Sequence, residues 1–257
     1  MAWIHPSAVV DPRAKIADRV RIGPYAVIGE EVEIAAGVEL GAHVVVTGRT
    51  SLGSGTRIHP SCVIGDEPQV RDGGGATALA IGEDNVIREF AVIHAGSPDG
   101  GGQTRIGDHN YLMNHVHVAH DCRIGSHCVL ASYTALAGHA AIGDHAVTGA
   151  FTGVHQFTRI GESAFTAANT MVSKDVPPFA RAAGDRARLV GLNTIGLQRR
   201  GLSAESLAAL KHAFHVLFQS RLRLEPALER TQSDCGDVPE VARLLRFLGE
   251  SERGFVR

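Results

Sequence analysis

The chain has 257 residues, a formal net charge of −2 at pH 7 and 30 glycines, and only 5% of its residues are aromatic. The balanced charge argues against a general nucleic-acid binder or a membrane-surface protein, because both need a basic excess. No apolar run approaches the roughly 18 residues of a membrane span, and we expect no signal peptide. The four cysteines form no C-x-x-C pair, so we expect reduced thiols in a cytoplasmic protein.

One aliphatic residue recurs at every sixth position from the N-terminus onward. The first series runs from Ile4 to Ile64, a short second series ends at Ile93, and a third starts at Ile106 and continues with interruptions to Val172. A period of six fits neither an α-helix nor an alternating strand. It predicts a chain that turns a corner every six residues, so that coils of eighteen residues with three flat faces stack about 4.8 Å apart.

Glycine follows the aliphatic residue at four positions spaced eighteen apart, namely Gly107, Gly125, Gly143 and Gly161. We therefore expect one corner of each coil to use backbone conformations that glycine tolerates.

The phase of the repeat slips twice, within residues 66–80 and within residues 94–105, and both segments contain glycine runs. We expect two flexible loops there that leave the prism and reach a ligand or a neighbouring molecule.

The repeat is expected to end at Pro177 and Pro178, because proline cannot donate a hydrogen bond to a further coil. A linker rich in Arg and Gly follows. The sequence thus predicts a mainly β repeat domain over residues 1–190 and a C-terminal α-helical domain over residues 191–257.

Helix signals begin after this linker. Ser203 is a suitable N-cap for a helix that extends to about Arg221. Residues 224–226, Leu-Glu-Pro, are expected to break it, and another helix is expected to start after Asp237.

Residues 114–122 read Asn-His-Val-His-Val-Ala-His-Asp-Cys, which is too polar for an ordinary buried strand. His120, His139 and His155 each follow an aliphatic residue of the repeat, and these aliphatic residues are eighteen apart. The coil therefore places the three imidazoles on consecutive turns of one face. Gly138 adds a flexible backbone amide beside them.

These residue types suit acyl transfer with a general base and no protein nucleophile. Histidine has a pKa suited to proton transfer near neutrality. Asp121, adjacent to His120, could orient the imidazole, and the Gly138 N–H could stabilise an oxyanion. Cys122 is an alternative nucleophile, although no neighbouring group marks it as activated.

A zinc site is the rival interpretation. His115, His117 and His120 have plausible ligand spacing, and trimeric hexapeptide-repeat carbonic anhydrases bind zinc through histidines across a subunit interface. Such a site would make the protein a lyase.

A single prism would leave small apolar residues exposed on its flat faces, among them Ala131, Ala135, Ala137 and Ala141. We expect these faces to pack against copies of the same chain. Three-fold symmetry is a natural closure for a three-sided prism.

Five further features carry a family resemblance: residues 114–122, 137–139, 154–157, 175–178 and 191–201. With the hexads, they resemble the UDP-N-acetylglucosamine 3-O-acyltransferase family of lipid A biosynthesis over essentially the whole chain. The resemblance implies a left-handed parallel β-helix and a homotrimer with active sites between subunits. It also implies transfer of an (R)-3-hydroxyacyl group from acyl carrier protein to the 3-hydroxyl of UDP-N-acetylglucosamine. We expect no cofactor and no bound metal.

The resemblance also implies residue roles. His120 matches the general base, Asp121 the carboxylate that orients it, and Gly138 the oxyanion amide. Ala168 matches the position that limits acyl-chain length, and its methyl group predicts a medium chain of roughly C10–C12. The substrate-contacting positions are matched by His94, His117, His139, His155 and Gln156, and the positions near the nucleotide diphosphate by Asn193, Arg199 and Arg200.

The first loop departs from the family pattern. Members usually carry Pro-Gln-Asp-Leu-Lys-Tyr, whose Asp and Lys touch the acceptor, where residues 68–73 read Pro-Gln-Val-Arg-Asp-Gly. Arg71 and Asp72 are candidates to replace them, and Ile195 stands where some members carry Glu. Two alternatives follow: a variant acceptor such as a 3-amino sugar nucleotide, and a sugar-nucleotide-binding protein without turnover.

Overall fold

The computed structural model describes residues 1–71 and 75–257. Asp72 and Gly73, which fall in the predicted first loop, lie outside the described residues. Most of the chain forms a parallel β-helix whose short strands pair one coil apart, as Ile124 does with Ile142. The predicted three-faced coil is therefore confirmed.

Three sheets form the faces of the prism, and each coil contributes one strand to each sheet. Face A contains β1 (Trp3–Ile4), β4 (Arg21–Ile22), β7 (Glu39–Leu40), β10 (Arg57–Ile58), β13 (Val86–Ile87), β16 (Tyr111–Leu112), β19 (Val129–Leu130), β22 (Val147–Thr148), β25 (Phe165–Thr166), β27 (Ala180–Ala183) and β28 (Arg188–Leu192). Face B contains β2 (Val9–Val10), β5 (Val27–Ile28), β8 (Val45–Val46), β11 (Val63–Asp66), β14 (Val92–His94), β17 (His117–Val118), β20 (Ala135–Leu136), β23 (Gly153–Val154) and β26 (Met171–Val172). Face C contains β3 (Lys15–Ile16), β6 (Glu33–Ile34), β9 (Arg49–Leu52), β12 (Ala78–Ile81), β15 (Gln103–Ile106), β18 (Arg123–Ile124), β21 (Ala141–Ile142) and β24 (Arg159–Ile160).

The core lies along the axis of the prism and consists mainly of the aliphatic residues of the repeat. Two threonines interrupt that series, yet Thr148 and Thr166 are both 0% exposed. Their hydroxyls are satisfied by other core threonines, since Thr148 Oγ1 lies 2.8 Å from Thr134 Oγ1 and Thr166 Oγ1 lies 3.2 Å from Thr152 Oγ1. Pairing removes most of the cost of burying a hydroxyl.

The predicted reason for the regularly spaced glycines was wrong. Gly107, Gly125, Gly143 and Gly161 do not adopt a positive φ. A Cβ atom built on Gly143 would lie 2.6 Å from the Glu162 nitrogen, so the next coil leaves no room for a side chain there. The corner residues that do have a positive φ are largely non-glycine, and they include Asp121, His139 and Phe157, each at 61°.

Both predicted loops are inserted between strands without loss of register. Arg57 pairs with Val86, and Val86 pairs with Tyr111, although each pair is separated by more than one standard coil. The first loop joins β11 to β12 and the second joins β14 to β15. The second loop does not extend away from the prism, because Gly96 donates to the Ala78 carbonyl of β12 at 3.1 Å.

The repeat continues beyond the two prolines mainly on face A, while face B keeps a single parallel bridge between Met171 and Asp185. Strand β27 pairs in parallel with β25, and β28 then pairs with β27 in the antiparallel sense. This segment was predicted to be a linker, and that prediction was wrong. The residues of β27 alternate between buried and exposed, and they retain the backbone donors that Pro177 and Pro178 lack. The proposed domain boundary at residue 190 falls within β28.

Four α-helices follow β28: α1 (Thr194–Arg199), α2 (Ala204–Phe214), α3 (Leu224–Cys235) and α4 (Pro239–Gly249). A short π-helix (His215–Gln219) continues α2. Ser203 caps α2 as expected, because its Oγ accepts the Ser206 N–H at 3.0 Å. Helix α3 starts where only a break was predicted; Pro226 is tolerated because it lies in the first turn, where an N–H has no partner within the helix. Helix α4 has Val238 rather than Asp237 at its N-cap.

Among the described residues, no helix combines the length and the apolar character needed to cross a bilayer.

The inward position of each strand should account for the stability of the prism. Ile58 is 2% exposed in the core, whereas its neighbour Arg57 points outward. We expect Ile58→Ala to lower the free energy of unfolding by about 2–5 kcal/mol, because it removes apolar contacts and leaves a cavity. Arg57→Ala is the matched control and should stay within about 0.5 kcal/mol of the parent. Urea unfolding at one fixed protein concentration measures both, and equal losses for the two variants would contradict this assignment of the core.

Candidate active site

A hydrogen-bonded histidine–aspartate pair occupies the edge where face B turns into face C. His120 and Asp121 follow β17, and His120 Nδ1 lies 2.8 Å from Asp121 Oδ2. Adjacent residues of a regular strand point to opposite sides. The corner conformation at Asp121, with φ of 61°, lets the two side chains meet. Since a carboxylate only accepts, Nδ1 carries a proton, and in the neutral imidazole Nε2 then has the lone pair.

Asp121 is buried and well supplied with donors. Its side chain is 2% exposed, and it accepts Ser97 Oγ–H at 2.6 Å as well as the His120 proton. The Ser97 N–H lies 3.1 Å from both carboxylate oxygens. Burial alone would raise the pKa of Asp121, but the hydrogen bonds from Ser97 and His120 outweigh it, so the pKa lies below its usual value. The carboxylate is therefore ionised at neutral pH.

Ser97 was not identified from the sequence. It lies in the second loop, which does not follow the six-residue repeat, so the repeat gives it no register relative to Asp121. Its position within a Gly-Ser-Pro turn was the only available signal.

Gly138 packs directly against the imidazole of His120. A Cβ atom built on it would lie 2.5 Å from His120 Cε1, so only glycine allows this approach. Its carbonyl accepts the Phe157 N–H, whereas no hydrogen bond within the described residues uses its own N–H. Other corner amides share this freedom, but the contact with His120 distinguishes Gly138. The amide is thus available to an oxygen atom that develops negative charge near Nε2.

His139 borders the same pair. Its ring is stacked on Phe157 with centroids 4.3 Å apart, and its Nε2 lies 3.7 Å from Asp121 Oδ2. Burial lowers the pKa of His139, and the charge of Asp121 opposes this only in part. His139 is therefore expected to be neutral at pH 7.

His94 and His117 form a second imidazole pair on face B, with ring centroids 5.5 Å apart. His94 Nδ1 donates to the Glu67 carbonyl at 2.6 Å, which fixes its tautomer. Its Nε2 is buried and makes no hydrogen bond within the described residues. Burial, and then the proximity of His94, lower the pKa of His117. Both rings can therefore offer hydrogen bonds to a polar ligand.

An open pocket on face B extends from His117 to His120 and Gly138. It is lined by His117, His120, Gly138 and His155, among others. His117 pairs in register with Ala135, Ala135 with Gly153, and Gly153 with Met171. The outward side of face B therefore has a polar end at His117, a floor of small residues and the Met171 thioether at the other end. Such a groove suits a flexible apolar chain.

The pocket includes four of the predicted family positions and excludes Ala168. Gln69, from the first loop, lines it beside His117. Gln156 is exposed at the same edge as His120. Ala168 is exposed at the other edge of face B, where face A turns into face B, and it does not line the pocket.

The three residues expected near a nucleotide diphosphate lie elsewhere. Asn193 is the N-cap of α1, and its Nδ2 donates to the Ser163 carbonyl at 2.9 Å. Arg200 forms an ion pair with Glu162 at 3.2 Å and also contacts Ser163 Oγ. Glu162 and Ser163 belong to the edge where face C turns into face A. Within one chain, this group is therefore separate from the histidine pocket, and Arg199 is exposed at the end of α1.

The proposed zinc trio is not brought together within the chain. His115 lies at the edge between faces A and B, stacked between Phe90 at 5.0 Å and Tyr133 at 4.6 Å. His120 lies at the opposite edge of face B.

A different set, His120, Asp121 and His139, offers ligand atoms within 4.8 Å of one another. The oxygens of Asp121 already accept proton donors from Ser97 and His120, so its negative charge is compensated without a cation. The arrangement fits a proton-transfer pair better than a metal site.

Cys122 is not an activated nucleophile. It is 0% exposed, and burial raises its pKa to about 12. Its Sγ–H donates to the Ala137 carbonyl at 3.2 Å. Cys122 is a packed core thiol, as an inert buried cysteine is expected to be.

Known proteins resemble this chain over its whole length. A family model described as UDP-N-acetylglucosamine O-acyltransferase domain 2 matches residues 175–256, and the bacterial transferase hexapeptide model matches residues 13–48 and 103–138. Proteins named acyl-[acyl-carrier-protein]–UDP-N-acetylglucosamine O-acyltransferase are 47% identical in Thiobacillus denitrificans and 45% identical in Myxococcus xanthus, and each match covers 100% of both chains. The chain belongs to the UDP-N-acetylglucosamine O-acyltransferase family.

Solved structures agree with this assignment. The UDP-N-acetylglucosamine acyltransferase of Francisella novicida is 37% identical and superposes with a TM-score of 0.96, covering 99% of this chain and 94% of that one. The LpxA of Acinetobacter baumannii is 39% identical with a TM-score of 0.96, covering 99% of both chains. A coil of opposite hand could not superpose so closely, so the left-handed β-helix that the resemblance implied is confirmed. The protein is an acyltransferase.

The contact between Gly138 and His120 should be essential for turnover. In Gly138→Ala, the new methyl group would displace the imidazole, and a displacement of this size is expected to lower kcat about 100-fold while the prism stays folded. Gly249→Ala is the control, because a Cβ atom built at Gly249 would meet nothing within 4 Å. Steady-state assays and circular dichroism on both variants measure this. Full activity in Gly138→Ala would show that His120 does not act from the observed position.

Proposed function

We propose that this protein transfers an (R)-3-hydroxyacyl group from acyl carrier protein to the 3-hydroxyl of UDP-N-acetylglucosamine, the first step of lipid A biosynthesis. The full-length relatives carry acyl carrier protein and this sugar nucleotide in their names. The observation that carries the proposal is the His120–Asp121 pair, whose free Nε2 faces the close approach of Gly138. An imidazole with one proton fixed on a carboxylate is suited to remove a proton at its other nitrogen.

The reaction needs one proton acceptor and one oxyanion donor. His120 Nε2 removes the proton of the sugar 3-hydroxyl as that oxygen attacks the thioester carbonyl. The carbonyl oxygen becomes an oxyanion, for which the Gly138 N–H is the available donor. When the tetrahedral intermediate collapses, the C–S bond breaks and the imidazolium returns its proton to the leaving thiolate of acyl carrier protein. The ionised Asp121 stabilises the imidazolium between the two proton transfers.

Both substrates are matched by residues that line the pocket, such as His117 and His155, or that lie beside it. His94, His117, His139, His155 and Gln156 are proposed to contact them. The groove over Ala135 and Gly153 suits the acyl chain. Gln69 is uncharged and lines the pocket beside His117. Arg71 lies in the same loop and is exposed. These groups are proposed to bind the acceptor in place of the Asp and Lys of other members.

We infer that the active enzyme is a homotrimer with shared sites. Asn193, Arg199 and Arg200 lie away from the His120 edge within one chain, so a nucleotide diphosphate bound by them would reach His120 of another copy. Exposed aromatic rings support such packing: Phe90, Tyr133 and Phe151 are 52%, 46% and 55% exposed on the edge between faces A and B. Exposed aromatic ladders of this kind mark interaction surfaces.

The main test combines analysis of the reaction product with removal of the proposed general base, His120. Acyl carrier protein thioesters and UDP-N-acetylglucosamine should give a UDP-3-O-(3-hydroxyacyl) product by mass spectrometry. His120→Ala should lower kcat about 100- to 10,000-fold, while His43→Ala, a corner histidine stacked on Tyr25, should turn over normally.

Near-normal turnover in His120→Ala would reject the general base. A product formed only with a 3-amino sugar nucleotide would favour the amide-forming alternative. Treatment of the product with hydroxylamine distinguishes the two linkages, because hydroxylamine cleaves an ester and leaves an amide intact. UDP-sugar binding without any product would favour the binding protein.

The preferred acyl-chain length shows which residue closes the end of the groove. The parent is expected to prefer acyl chains of roughly C10–C12. Ala168→Gly should shift this preference to a chain longer by about one or two methylenes. Met171→Ala is the matched variant, since Met171 Sδ lies 2.6 Å from where a Gly153 Cβ would be. Competition between thioesters of different length measures both. A shift in Met171→Ala alone would assign chain length to the pocket residue instead, and a parent preference for C14 or longer would refute the medium-chain prediction.

A further inference from the structure

The second loop folds back over the catalytic edge and holds the Asp121 carboxylate. Ser97 is 6% exposed. It provides two of the donors that reach this carboxylate, the Oγ–H at 2.6 Å and the N–H at 3.1 Å. The loop was expected to reach a ligand or a neighbour. It instead reaches a carboxylate of its own chain.

The loop backbone is fixed on both sides of Ser97. Gly100 and Gly102 donate to the Ser97 carbonyl at 3.1 and 3.0 Å, and the Ala78 N–H of β12 donates to the Gly102 carbonyl at 2.9 Å. A Cβ atom on Gly100 would lie 2.1 Å from Asp121 Oδ2. The glycines therefore allow the backbone to close against the carboxylate, which explains one glycine run that interrupts the repeat.

Asp121 has two imidazoles within reach. His120 Nδ1 lies 2.8 Å from its Oδ2, and His139 Nε2 lies 3.7 Å from the same oxygen. A carboxylate with freedom to rotate would divide its charge between the two rings. The Ser97 hydroxyl occupies Oδ2 together with His120, and the Ser97 amide spans both oxygens. These bonds fix the rotation about the Cβ–Cγ bond.

We propose that Ser97 is a positioning residue, which locks Asp121 on His120 and so keeps the general base in its productive tautomer. This inference rests on the proposed function, because it acts only through the His120–Asp121 pair. The second loop is then part of the catalytic apparatus rather than a flexible insertion.

The test compares Ser97→Ala with Ser97→Thr. Ser97→Ala removes one hydrogen bond to a charged group, and kcat is expected to fall about 10- to 100-fold, with KM for both substrates nearly unchanged. Ser97→Thr keeps the hydroxyl and should restore most of kcat. Ser126→Ala is the control, because it also removes a serine hydroxyl that bonds to another coil. That hydroxyl accepts the Asp108 N–H at 3.0 Å, at a different edge.

A double-mutant cycle separates positioning from general structural support. Residues that act through one another are non-additive, so Ser97→Ala in an Asp121→Ala background should cause less than a 2-fold further loss. Parent-like kcat in Ser97→Ala, or a loss that adds in full to that of Asp121→Ala, would overturn the inference. Thermal unfolding of each variant identifies any variant that fails to fold. If Ser97→Ala does not fold, the kcat of Ser97→Thr is compared with that of the parent instead. If His120→Ala and Asp121→Ala were themselves active, the proposed function would fail instead.

Discussion

The register between coils is the constraint on which every other feature of this protein depends. Each strand hydrogen-bonds to the equivalent strand of the next turn, so equivalent side chains form columns along each face and each edge. Inward columns of Ile, Leu and Val form the core, and outward columns determine the surface chemistry. A residue displaced by one position would move from core to solvent. The two insertions are tolerated because the strands on either side of them still pair on all three faces, with one bulge between Ile64 and Asp66 on face B.

Within that register, the catalytic groups lie at the edges of the prism, and the strands of the faces supply the packed core. An edge residue can take a positive φ, which turns its side chain toward a neighbour that a strand would keep apart. Asp121 uses this freedom to reach His120, and the same corner one turn later places His139 beside the same carboxylate. Gly138 lies one residue before His139, and its missing side chain makes room for the His120 ring. A regular strand could not assemble these three groups.

The buried carboxylate determines the electrostatics of the site. Removing a charge from water is costly unless donors replace the water. Ser97 and His120 supply those donors, and as a result Asp121 remains ionised while the surrounding histidines, His117 and His139, have lowered pKa values. The fixed negative charge of Asp121 lies against Nδ1 of His120, 2.8 Å away. The same balance explains why a cation is not required to neutralise the site.

The sequence by itself determined the coil, since a period of six over so many turns allows few other packings, and stacking the turns placed His120, His139, His155 and Gly138 on one side. Sequence spacing could not reveal Ser97, because a loop outside the repeat has no register until it folds. It also missed α3 and the β27–β28 pair, where Pro226, Pro177 and Pro178 read locally as breaks although their positions leave the backbone hydrogen bonds intact. Tertiary structure alone decided that His115 and His120 lie on opposite edges of face B, that Cys122 is buried, and that Asn193 and Arg200 pack against Glu162 and Ser163. Those outcomes depend on which corner each residue occupies and on which residues pack against that corner. Spacing along the chain predicts neither of these.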